Sequence, residues 1–244
     1  LDDSEGLPMS AYWNLTAVLR AIEKALSEHT PLSLVRIGDG ENIVLAQRSV
    51  WPMRRVLRER WAVKANKGEK GVTLPNIKLR NELVRAIRSA TIVGILPPGD
   101  EEIKAPAYLK RSLTNRVFRH FKLKPRVTCH ACVNRMMPSA RLFWDILRRR
   151  RILVVTRDPR PLKATLESAP YSLHVAHTLA FSHYDQIESA MRAIETIADE
   201  FDIALLSCGV NAVVLAPRIA AATGKVAIDF GKGPERIAAT TRRL

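Results

Sequence analysis

Apolar residues along this chain keep two spacings, and the spacings take turns. Short, nearly continuous apolar runs recur at residues 32–37, 90–95, 126–133, 151–156, 172–176, 201–207 and 225–230. Each has the length of a buried strand, and most stop at glycine, proline or polar residues. Between them the apolar positions return every three or four residues. Leu15, Val18, Leu19, Ile22, Ala25 and Leu26 share one face of a helix over 13–28. Leu79, Leu83, Val84 and Ile87 do so over 76–89, and Ile187, Met191, Ile194 and Ile197 over 183–200. A basic helix over 103–121, broken after Pro106, carries Leu109, Leu113, Val117 and Phe121, and a helix over 136–147 carries Phe143, Trp144 and Leu147 inward. Shorter helical segments are expected at 42–49, 54–61, 159–171 and 210–222, and a polar loop at 66–71. Strands alternating with helices imply right-handed crossovers. The expected fold is therefore α/β: a mostly parallel open sheet with helices on both faces, Rossmann-like. Residues 1–30 form an N-terminal helical segment that packs on the core, 31–233 the α/β domain, and 234–244 a tail that is irregular or partly helical. A basic subregion is inserted around 50–75 or 100–125.

The first strand ends in the most informative stretch, Arg36-Ile37-Gly38-Asp39-Gly40-Glu41-Asn42. Strand, glycine turn with carboxylates, then helix is the form of a ligand site at the carboxyl end of a strand. Gly38 and Gly40 let the backbone turn tightly and a ligand approach closely. If the turn stays extended, Asp39 and Glu41 share a side and can together hold Mg²⁺ or Mn²⁺, whose other sites take phosphate oxygens. The competing reading makes Asp39 the cap of the next helix, with Glu41 in its first turn. Arg36 holds either Asp39 or a phosphate, or forms a structural salt bridge. Two later strand ends have related chemistry. Gly209, after Cys208, lets a phosphate or ribose approach backbone amides, and Asn211 is a helix cap or a ligand contact. Asp229 caps a turn or meets a ribose or acceptor hydroxyl.

Composition narrows the class. The chain has 244 residues, 47% of them apolar, and a formal net charge of +15. That excess needs an anionic partner: nucleic acid, an anionic membrane or a phosphorylated substrate. It is uneven, because residues 104–126 hold eight Lys or Arg and no acid, and 148–151 are four arginines in a row. No zinc finger, RNP aromatic set or KH loop is present, which leaves a nucleic-acid-binding or processing protein as the alternative class. No apolar run is long enough to span a membrane, and the first residues do not resemble a secretory signal. Three cysteines are too few for a disulfide framework, so a cytoplasmic setting is expected, with peripheral contact at the inner membrane face compatible with the charge. Cys129 and Cys132 have CxxC spacing but read as core-strand residues. His174, His177 and His183 have no metal-ligand spacing.

Three motifs in order, 36–41, Leu206-Ser207-Cys208-Gly209 and Ile228-Asp229-Phe230-Gly231, resemble the bacterial GT-D-type glycosyltransferases with their Asp-x-Glu motif, over roughly residues 30 to 233. The resemblance implies a GT-D-type fold and transfer of a sugar from a nucleotide sugar, a uridine diphosphate donor being the commonest, with Mn²⁺ or Mg²⁺. It implies Asp39 as a metal ligand and Glu41 as second ligand or catalytic base. It places Arg36, Gly38, Gly40, Arg135, Gly209, Asn211 and Asp229 around the donor, with Arg135 forking onto the diphosphate. A glycan or lipid-linked acceptor follows, an anionic one suiting so basic a protein. Members of the family usually follow the last glycine with histidine. Here Lys232 stands there, a fixed cation that takes no acid–base role at neutral pH and keeps a noncatalytic GT-D-like scaffold among the alternatives.

Overall fold

The computed structural model describes residues 10–241. Its strands are β1 (Ala11–Trp13), β2 (Leu32–Ile37), β3 (Ile92–Ile95), β4 (Val127–His130), β5 (Arg151–Thr156), β6 (His174–Ala180), β7 (Ile203–Ser207) and β8 (Val226–Asp229). They form one sheet in the order β1-β4-β3-β2-β8-β7-β5-β6, and every pairing is parallel. The helices are α1 (Leu15–Glu28), α2 (Asp39–Ala46), α3 (Met53–Val56), α4 (Arg60–Asn66), α5 (Ile77–Ser89), α6 (Arg111–Phe121), α7 (Val133–Met136), α8 (Arg141–Leu147), α9 (Arg160–Glu167), α10 (Ile187–Thr196), α11 (Asn211–Thr223) and α12 (Gly233–Thr241).

A parallel sheet covered on both faces needs strands that are apolar on both sides, and these are. Val35, Ile37, Leu153, Val155, Ala204 and Leu206 enter the core under α2, α5, α6, α10 and α11. Their sequence neighbours Leu34, Ile152, Val154, Ile203 and Leu205 enter the opposite core under α1, α8 and α9. Asn14 caps α1, its Oδ1 accepting from the Ala17 N–H at 2.9 Å, and Asn76 caps α5 in the same way through Leu79 at 2.8 Å.

Strands β2 and β5 and helix α1 fall close to where the apolar spacing puts them. Other elements differ. Residues 11–13 add a strand to the segment expected to be helical, and β1 extends the sheet beside β4. The helix expected over 54–61 is two pieces, α3 and α4. The one expected over 136–147 breaks at Pro138, whose ring cannot continue a helix from the preceding turn. The strand expected at 126–133 ends at His130, and α7 takes Val133. β6 runs on to Ala180, because on this edge strand only alternate residues are covered and the apolar run understates its length. The helix expected from residue 42 begins at Asp39. No helix of the described residues is long and apolar enough to cross a membrane.

The sheet order sets where a ligand can sit. From β2 the chain leaves towards β3 and β4 on one side, while β5, β6 and β7 build the other side and β8 returns to fill the gap. Where connections part in this way, the loops at the carboxyl ends of the strands leave a crevice.

Candidate active site

A cleft of about 790 Å³ opens there. Its walls come from the ends of β2, β3, β4, β5, β7 and β8, together with Trp61 and the loop at Glu69, Lys70 and Gly71. Of the residues singled out in the sequence, Arg36, Gly38, Asp39, Gly40, Glu41, Arg135, Gly209 and Lys232 line it. Asn211 and Asp229 do not; both are buried behind it.

The Asp39-Gly40-Glu41 turn is helical, which corrects the extended reading. Gly38 is the N-cap, so Asp39 is the first residue of α2 and not its cap. Helical neighbours two apart point to different sides, and the two carboxylates part accordingly. Glu41 folds back, and its Oε2 accepts the Gly38 N–H at 2.8 Å. Asp39 stays half-buried on the cleft wall, its side chain without a partner among the described residues. Gly40 is needed for a reason other than ligand approach. A Cβ there would lie 2.7 Å from the Trp61 ring, so the glycine lets that indole close the wall.

Beneath the turn is a buried charge cluster. Arg36 pairs with Asp229, not with Asp39, at 2.9 Å. Its other donors go to the Asp229 carbonyl at 3.0 Å, the Ala131 carbonyl at 3.2 Å and Asn134 Oδ1 at 3.0 Å. Asn134 in turn donates to the Phe230 carbonyl at 2.8 Å. With this many bonds inside the protein, Arg36 is a structural centre that joins β2, β4 and β8. Gly231 is what admits it: its φ is +46°, and a Cβ would overlap the guanidinium. Burial and the nearby Asp229 charge push the Glu41 carboxyl up to about 7, against the pull of its backbone hydrogen bonds and of Arg36. Burial also pushes Asp229 upward, while Arg36 opposes the shift. A carboxyl that titrates near neutrality in a cleft has the property required of a general acid or base.

The opposite wall is the start of α11. Asn211 is not its cap; Nδ2 donates to the Gly71 carbonyl at 2.9 Å and so ties the 67–76 loop to the helix. Gly71 has φ +69°, and a Cβ would meet the Ser182 carbonyl at 2.8 Å. Gly209, at φ +60°, leaves its wall open with only the Lys70 carbonyl near. Ser207 lines the cleft, and its hydroxyl is buried without a partner among the described residues.

Sequence reading missed several residues that the fold brings to the cleft: Trp61, Lys70, Glu102, Arg157 and Arg236. Trp61 comes from the short α4, Arg236 from α12 and the others from loops, where no apolar spacing marks a site. Arg135 reaches the cleft but is held by Glu102, bonding its carbonyl at 2.9 Å and lying 3.9 Å from its carboxylate. Lys232 is exposed and has Glu235 at 3.9 Å. Cys129 and Cys132 are buried free thiols, Cys129 pushed up to about 12 by burial, which is an inert state. His177 bonds Glu200 and His183 bonds Thr73, away from the cleft wall. Among the described residues no three His, Cys, Asp or Glu side chains gather as a metal site.

A family model described as a GT-D fold-like domain matches residues 13–237. No curated protein matches. A solved structure described as domain of unknown function 1792 with a distinct glycosyltransferase fold is 17% identical, with a TM-score of 0.59 over 96% of this chain and 83% of that one. Another, described as a new glycosyltransferase of the same domain type from Streptococcus sanguinis, is 14% identical, with a TM-score of 0.59 over 97% of this chain and 86% of that one. At such identities the likeness is one of fold.

Proposed function

The chain belongs to the GT-D-like family, and we propose that it is a divalent-cation-assisted glycosyltransferase, moving a sugar from a nucleoside diphosphate donor, with uridine as the base, to a hydroxyl of a glycan or lipid-linked acceptor. One observation carries the reading. Asp39 is a carboxylate without a partner among the described residues, set into the wall of a cleft whose other charged residues are mostly cations: Arg36, Lys70, Lys104, Arg135, Arg157, Lys232 and Arg236. An unpaired carboxylate among cations suits a site that receives a cation and a polyanion together.

The residues fit Mg²⁺ or Mn²⁺ in one particular way. Such ions are commonly held by one or two carboxylates plus substrate phosphates, with water filling the rest. Asp39 supplies a carboxylate that is free among the described residues, while Glu41 is already bonded to Gly38. The cation would therefore arrive with the donor, not ahead of it. When bound, it offsets the charge that grows on the departing diphosphate. Lys70 and Arg157 flank the side of the cleft formed by Gly209 and the start of α11, where backbone amides also favour phosphate. Glu41, titrating near neutrality, takes the proton from the acceptor hydroxyl as that oxygen attacks the sugar carbon.

Titration calorimetry of uridine diphosphate with Mn²⁺, and again with excess chelator, tests the reading. The expected result is binding that needs the metal and that Asp39→Asn weakens at least about tenfold, the loss of one charged ligand. Absence of binding to folded protein under both conditions overturns the uridine donor.

A further inference from the structure

Nearly all of the net charge lies on one outer surface. Residues 47–60, 77–91 and 111–126 hold fifteen Lys or Arg against two acids, Glu59 and Glu82, in a chain whose net charge is +15. Both acids are engaged by tyrosines: Tyr108 donates to Glu59 at 2.9 Å and Tyr184 to Glu82 at 2.7 Å.

The three segments form one face over the core under α2, α5 and α6, because their arginines bridge them. Arg80 donates to the Gln47 carbonyl at 2.7 Å, Arg88 to the Phe121 carbonyl at 2.8 Å and Arg116 to the Val50 carbonyl at 3.2 Å. Arg55 lies over the Trp51 ring at 4.0 Å. These partners are neutral. Arg85 lies 3.9 Å from Glu82 on this face, whereas elsewhere the arginines meet carboxylates more closely, as in Arg20 with Glu23, Arg151 with Asp202 and Arg218 with Glu188. Neutral anchors fix the guanidiniums in place and leave their charge unspent. Arg54, Arg58, Arg119, Lys122 and Lys124 add exposed cations to the same face.

We propose that this face docks on an anionic phospholipid surface. A bilayer carrying phosphatidylglycerol or phosphatidylserine offers many phosphates in a plane, and each basic residue near it adds to the attraction. The fifteen side chains come from α3, α4, α5, α6 and the turns beside them, and none lines the cleft. A single nucleic acid strand is held otherwise, in a groove with aromatic platforms for its bases. Here Tyr108 is the large exposed aromatic, and its hydroxyl is taken by Glu59. The face also reaches the cleft rim: Arg111 donates to the carbonyl of Leu96 at 3.2 Å, and Leu96 and Lys104 line the cleft. A protein seated this way holds its cleft beside the membrane surface.

The test is co-sedimentation of the full chain with vesicles of pure phosphatidylcholine and of phosphatidylcholine containing phosphatidylglycerol. Binding is expected only to the anionic vesicles, weakening steeply as salt rises. The triple variant Arg54→Gln/Arg58→Gln/Arg119→Gln touches exposed positions and should fold, checked by circular dichroism. It is expected to bind at least about tenfold less, since each cation near the surface is worth several-fold in partition. The variant Arg20→Gln/Arg148→Gln/Arg149→Gln removes the same charge over the opposite core and should bind as the parent does. Equal losses in the two variants would overturn the face. So would binding of random duplex DNA or single-stranded RNA at about 0.15 M salt as tightly as anionic vesicles, which would make nucleic acid the partner. The outcome is independent of the uridine diphosphate titration.

Discussion

Glu41 is where residue chemistry and stability meet. Its carboxyl titrates at about 7 in the folded protein, well above the unfolded value, so the native state favours the proton. Below the unfolded value the residue is neutral in both states and costs nothing. The cost appears as pH rises through the interval between the two values and is complete above about 7. Glu41→Gln is always neutral and can still accept from Gly38. It should match the parent in stability near pH 4 and exceed it near pH 8 by about 3 kcal/mol, read from urea denaturation at both pH values. The same substitution should keep donor binding and lower turnover by about 10² to 10⁴. In the parent, turnover should rise with pH through about 7, as the base loses its proton. A variant with unchanged turnover would remove Glu41 from proton transfer. The motif's resemblance offers Glu41 as a base, but the shift of its carboxyl was not legible there. Sequence spacing marks Asp39 and Glu41 as a pair, but their separation depends on α2 starting at Asp39, and the Glu41 shift depends on Asp229, 188 positions further on.

At the level of elements, glycines fix how the walls meet. Gly71→Ala meets both a left-handed backbone and the Ser182 carbonyl at 2.8 Å. The strain should cost about 1–3 kcal/mol and loosen the loop that Asn211 holds. Calorimetric melting should show the lower stability, and uridine diphosphate should bind more weakly than to the parent; a variant with parent-like melting and binding would deny the loop its role. The strands themselves were largely legible, because a parallel sheet covered on both faces writes its strands as continuous apolar runs, as 32–37 and 151–156 show. Three residues at 11–13 write no such run, and β1 was missed. The breaks in 53–66 and 136–147 were missed because apolar spacing continues across turns that the backbone does not follow as one helix. Trp61, in the short α4, and Arg157, in a loop, carry no signal of a site, and only the fold brings them to the cleft.

For the whole molecule, the charge that favours an anionic partner also works against the compact state. Fifteen cations crowded on one face repel one another, and the pKa of Arg80 is lowered by its burial and, less, by the charge of Arg48. Screening should relieve this. Raising sodium chloride from about 0.05 M to about 0.5 M is expected to raise the melting temperature by a few degrees, and sulfate should do more than chloride. A melting temperature that falls across this range would mean that attractive pairs outweigh the repulsion. The Arg54→Gln/Arg58→Gln/Arg119→Gln variant should show a smaller gain with salt than the parent.

The position of β8 has a bearing on how the protein comes into being. The last strand of the sheet to leave the ribosome stands between β2 and β7, so until it is made the nascent chain can hold only two unjoined slabs, β1-β4-β3-β2 and β7-β5-β6. Each would present a bare inner edge, the kind of surface that recruits other strands. Asp229 and Gly231, which seat Arg36 under the cleft floor, arrive with the same strand. Closure of the sheet and assembly of the cleft floor are thus a single late event, and a chain interrupted before β8 has neither.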